Sequence, residues 1–78
     1  MSTLKAFERV YLTENLPGTR YVKGDVGVIA HVYDNGVGFE VEFFAADGST
    51  LSVETVLGHQ VRSCAGIKAV LHIHNEAA

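Results

Sequence analysis

The sequence predicts an all-β fold: a small five-stranded barrel with an extra C-terminal strand or extension. Three observations carry that expectation. Short runs of β-branched and aromatic residues alternate with turn signals along the chain. Two of those runs alternate with the period of a strand. Phe39, Val41 and Phe43 oppose Glu40, Glu42 and Phe44, and Leu51, Val53 and Thr55 oppose Ser52 and Glu54. Between runs stand Asp34-Asn35-Gly36 and Asp47-Gly48, the residue types that tight hairpins require.

The elements follow in order. Phe7 to Leu12 reads as the first strand, anchored by Phe7, Val10 and Leu12. Thr13 to Lys23 is a long loop, with turn chemistry at Asn15-Leu16-Pro17-Gly18. Gly24-Asp25 makes a tight entry to the second strand, Val26 to Tyr33. Val26, Val28, Ile29, Ala30 and Val32 leave both of its faces apolar, and Gly27 suggests a bulge or bend there. Asn35-Gly36 favours a type I′ turn into the third strand, Val37 to Phe44. Thr50 to Val56 is the fourth strand, with Leu51, Val53 and Thr55 facing the core. Leu57-Gly58-His59 is a short turn or single helical turn before a fifth strand, Gln60 to Arg62. Five short strands, a long first loop and a short turn before the last strand describe an SH3-like barrel, residues 1–64. A five-stranded OB-type barrel is the alternative, though it usually needs longer strands.

Residues 65–78 form a C-terminal extension. Ile67, Ala69, Leu71 and Ile73 alternate with Lys68, Val70, His72 and His74, which reads as a strand with one apolar face. As a helix, Ile67, Val70, Leu71 and His74 would share a side. Such a strand packs on its own barrel or pairs with a neighbouring chain.

Composition narrows the function classes. The 78 residues carry 6 Lys plus Arg against 9 Asp plus Glu, a net charge of −3. That balance opposes general binding to a nucleic-acid backbone. No apolar run is long enough to span a membrane, and the first residues lack a secretory leader. A cytoplasmic protein is therefore expected. The single cysteine, Cys64, has no internal disulfide partner. A domain this short buries only roughly 60% of its unfolded surface, which favours added support from self-association.

The strings Leu12-Thr13-Glu14-Asn15-Leu16-Pro17, Lys23-Gly24-Asp25-Val26-Gly27, Val32-Tyr33 and Phe39-Glu40-Val41-Glu42-Phe43, with Asp47-Gly48 and Gln60-Val61-Arg62, form a combination. Together they resemble the small bacterial proteins grouped as domain of unknown function 4926, over about residues 6–63. The resemblance implies an SH3-like barrel and transfers no activity and no catalytic residue. Gly24-Asp25-Val26-Gly27 is also similar to the KOW motif of ribosomal and transcription-factor barrels, a likeness of fold.

No motif dictates a reaction. His72 and His74 share a strand face, but a stable metal site needs more ligands, and only Glu76 is near in sequence. Cys64 lacks an adjacent base in the sequence. Glu40 and Glu42, joined by Glu54, form a solvated acidic face. Arg9, Arg20, Lys23 and Arg62, with Tyr21 and Tyr33, would make a small nucleic-acid surface if they met. Tyr33 and Phe44 are either interface anchors or rim residues of the core. The expected protein is thus a non-catalytic interaction module without cofactor or metal, a homo-oligomer or the accessory subunit of another protein. Its expected surface comprises Leu16, Arg20, Tyr21, Tyr33, Phe44, Leu71 and Ile73. A KOW-like nucleic-acid-binding barrel is the alternative.

Overall fold

A computed structural model of the chain describes residues 4–65. Its elements are β1 (Arg9–Leu12), β2 (Val26–Tyr33), β3 (Gly38–Phe44), β4 (Thr50–Leu57) and β5 (Val61–Ser63), with 3₁₀ turns at Asp34–Gly36 and Gly58–Gln60. They form one antiparallel sheet in the order β4-β3-β2-β1-β5. No described helix is long and apolar enough to cross a membrane. The C-terminal extension expected beyond the last strand, with Leu71 and Ile73, lies outside the described residues.

Among the described residues no helical layer covers the sheet, yet Ile29, Phe39 and Val41 are fully buried. A single sheet can bury them only by curling over its own inner face. Val10 and Leu12 of β1, Phe43 of β3, Val56 of β4 and Val61 of β5 meet in that core. Closure does not follow. Among the described residues β4 and β5 remain unpaired margins, so this is a curled open sheet and not a sealed barrel.

The first loop is part of the core. Leu16 and Tyr21 are 6% and 2% exposed, and both were expected on an interaction surface. The chain turns inward because the Leu16 amide donates to the Tyr21 carbonyl at 3.0 Å, and the Thr19 hydroxyl donates to the Leu16 carbonyl at 2.8 Å. Tyr21 then stacks on Phe43, with centroids 3.9 Å apart and planes 14° from parallel. Asp25, 2% exposed, accepts the Val22 amide at 2.9 Å and closes the loop. The far side is fixed to the turn before β5, where the Thr13 amide donates to the Gln60 carbonyl and the Thr13 hydroxyl to the His59 carbonyl.

Four local expectations are corrected. Phe7 is not a core anchor: it is 83% exposed and has a left-handed backbone, φ +70°. The bulge in β2 falls between Ile29 and His31 rather than at Gly27. The Asn35-Gly36 hairpin is wider than two residues, because Tyr33 pairs with Gly38 and φ is positive at Asp34, Asn35 and Gly36. The faces of β4 are reversed. Phe39, Val41 and Phe43 pair with Val56, Glu54 and Ser52, while Val53, Thr55 and Leu57 point outward.

The reversal has a local cause. Phe43 pairs with Ser52 but Phe44 pairs with Thr50, so Leu51 is the extra residue of a bulge and changes the parity of the strand. The inward polar groups are satisfied. Ser52 Oγ donates to Glu54 at 2.8 Å and shares a 2.6 Å hydrogen bond with the Tyr21 hydroxyl.

Candidate interaction surface

Alternation in β2 puts Gly27 and Ile29 inward, so Val26 and Val28 face out. On the neighbouring strand Phe43 faces in and Phe44 out. Val26, Val28 and Phe44 therefore share the outer face and, with Arg9, Ala46 and Gly48, line a groove of about 250 Å³. Phe44 is half-buried in this groove, so it is a floor residue of the outer face and not a core residue.

Arg9 also borders a second hollow, of about 300 Å³, formed with Glu8, Ser63, Cys64 and Ala65. Ser63 Oγ donates to Glu8 at 2.6 Å and accepts the Ala65 amide at 3.0 Å, fixing its floor. Partial burial pushes the Cys64 thiol above its ordinary value; Arg9 opposes that and Glu8 adds to it. The thiol is thus held in its protonated, poorly nucleophilic form near neutral pH. Alkylation of Cys64 by iodoacetamide at neutral pH is expected to run several-fold slower than that of a solvated cysteine peptide. Arg9→Ala should slow it further and Glu8→Gln should speed it. Equal rates in all three proteins would show that these charges do not reach the thiol.

At the other end of the outer face Tyr33 pairs with Gly38, and Gly38 with Leu57. Tyr33, Val37, Val53 and Leu57 are 38%, 65%, 47% and 52% exposed. His31 meets Tyr33 edge-on, with centroids 4.6 Å apart. The Tyr33 phenol lies above its ordinary pKa through desolvation and then through Glu40, which accepts its hydrogen bond and repels a phenolate.

Of the expected surface residues, Tyr33 and Phe44 belong to this outer face. Arg20 is exposed on the first loop, its guanidinium 5.8 Å from the Tyr21 ring centroid. Leu16 and Tyr21 are core. The acidic trio does not assemble: Glu40 and Glu42 face out, while Glu54 faces in toward Ser52. Glu42 instead accepts the Thr50 hydroxyl at 2.5 Å. Of the four basic residues, Arg9 and Arg62 share the outer side of β1 and β5, where Arg62 pairs with Tyr11. Arg20 and Lys23 stand on the first loop. Among the described residues no group of three His, Cys, Asp or Glu side chains is placed to hold a metal ion.

Sequence reasoning missed Val26, Val28, Val37, Val53 and Leu57 as surface residues. For β2 the signal was present, since its two apolar faces require something beyond one core. For β4 the signal was hidden by the bulge at Leu51.

The fold and this face define a small antiparallel β domain with an apolar outer groove and a basic residue at its rim. The chain belongs to the family described as domain of unknown function (DUF4926), which matches residues 6–63. No curated protein and no solved structure matches it.

Proposed function

We propose that this chain is a non-catalytic protein-interaction module, self-associating or the accessory subunit of a larger assembly, and that it binds through the outer face of its sheet. One observation carries the reading. A curled sheet with its own core also presents Val26, Val28 and Phe44 in a groove and leaves Val37, Val53 and Leu57 open to solvent. Exposed apolar surface rimmed by polar groups marks interfaces, and here the two apolar areas flank the outward Glu40 and Glu42. Aromatic and arginine side chains such as Phe44 and Arg9 are the types that anchor interfaces.

The test is Ala46→Arg, an exposed position on the groove, which fills the space without touching the core. A protein retained by the wild type in a lysate of the source cells should be lost in the variant. If the wild type retains no partner that this substitution displaces, the reading of the groove as the binding surface fails.

A KOW-like nucleic-acid-binding role is the second reading, favoured by Arg9 and Arg62 standing with Tyr11 on one face. It requires salt-sensitive binding of single-stranded RNA or DNA. The absence of any mobility shift at low salt removes it.

A further inference from the structure

We propose that two copies of this chain pair antiparallel through the free edge of β4, centred on Thr55, and so join two five-stranded sheets into one. The inference rests on the protein-interaction reading and names the partner as a second copy. β4 is a margin of the sheet, and among the described residues only β3 pairs with it. A strand margin offers unpaired amides and carbonyls, and proteins usually guard a long one with lysine, proline or a bulge. Thr50–Leu57 contains neither lysine nor proline, and its inward-pointing charge, Glu54, is held by Ser52. Its bulge sits at Leu51, which leaves Ser52–Leu57 regular, and because the Leu57 amide is already donated to Gln60 Oε1 at 2.7 Å, the edge hydrogen bonds of the pair fall on Val53, Thr55 and the Leu57 carbonyl.

The side chains select the register. Residues directly opposite each other in an antiparallel pair lie on the same face, so a two-fold axis passes through one residue position. Centring on Glu54 sets two carboxylates against each other, which is unfavourable. Centring on Val53 runs the pairing across the bulged Leu51. Centring on Thr55 places Val53 opposite Leu57 of the second copy, twice, and Thr55 opposite Thr55. Val53 and Leu57 are 47% and 52% exposed in the single chain, and this register covers each with the other. Glu54 then faces Val56 of the second copy and keeps its own Ser52 as partner. The geometry is therefore self-complementary at a strand margin that carries two exposed apolar side chains at the right separation.

Light scattering on the full chain, under reducing conditions and over a wide concentration range, reads the association. A mass of about twice 8.4 kDa is expected at high concentration. Thr55→Lys sets two ammonium groups opposite each other at an exposed position and should return the mass to the monomer. The register is read separately. In a Cys64→Ser background Thr55→Cys should oxidise to a covalent dimer, while Val53→Cys, opposite a leucine, should cross-link roughly tenfold less because its sulfurs are out of disulfide reach. A wild type that stays monomeric throughout overturns the pairing and leaves the interaction reading to a different partner. A dimer that survives Thr55→Lys also overturns it. If that dimer dissolves when Gly66–Ala78 is deleted, self-association stands with the C-terminal segment as its carrier.

Discussion

Phe43→Ala is expected to cost ~3–5 kcal/mol, the range for truncating a buried phenylalanine. Phe43 is 1% exposed and packs on Tyr21 at 3.9 Å, so its loss opens a cavity and also removes the ring that holds the first loop. A chain of this size has about 4–12 kcal/mol of stability in total, at roughly 0.05–0.15 kcal/mol per residue. The loss is therefore about a quarter of that stability at the least and all of it at the most. For a domain of this length each kcal/mol lowers Tm by ~4–8 °C, which calorimetry resolves easily. Phe43→Leu should retain most of the burial and lose chiefly the stacking, about 1 kcal/mol. If Phe43→Ala melts within a few degrees of the wild type, the loop is held by something other than this stack.

Gly27→Ala carries the second large effect. A Cβ at this position would lie 2.5 Å from Val41 Cγ1, 2.8 Å from the Glu42 carbonyl oxygen and 3.2 Å from Phe43 Cδ1. The first and third neighbours are core side chains and the second is the backbone of the paired strand, so little can yield. Overpacking of this kind costs ~1–3 kcal/mol, and the backbone contact places Gly27→Ala toward the upper end. Val41→Ala removes the closest atom. The two substitutions together should therefore cost less than the sum of each alone, by on the order of 1 kcal/mol in a double-mutant cycle. Strict additivity in urea melts would sink this account of why a glycine stands here.

These two sites show how far the sequence could be read. The bounds of β2, Val26–Tyr33, follow from local signals alone, because Gly24-Asp25 and Asp34-Asn35-Gly36 bracket an apolar run. The inward face of β3 was legible for the same reason: Phe39, Val41 and Phe43 alternate with Glu40 and Glu42. β4 was legible in position but not in phase. Its inward polar residues, Ser52 and Glu54, bond to each other, and Ser52 also to the Tyr21 hydroxyl, which arrives from a loop 31 residues earlier. A contact that distant leaves no local trace. Gly27 was visible as an anomaly, but its cause lies on β3, a separate strand. The outer groove was half legible. The doubly apolar β2 announced it, whereas Phe44, Ala46 and Arg9 reach it only through the curl of the sheet. Leu16 and Tyr21 misled because turn residues surround them and loops usually lie on the surface.

The first loop has a consequence for how the molecule meets a partner. Leu16 and Tyr21 sit in the core, and the Leu16, Thr19, Lys23 and Asp25 amides all have acceptors within the loop. Its amides should consequently exchange with solvent water almost as slowly as those of β2 and β3, through global opening rather than local fraying. A sheet whose core includes such a loop is already shaped before contact. Association then pays little ordering entropy, and the affinity of mutant partners should vary mainly through how fast they leave.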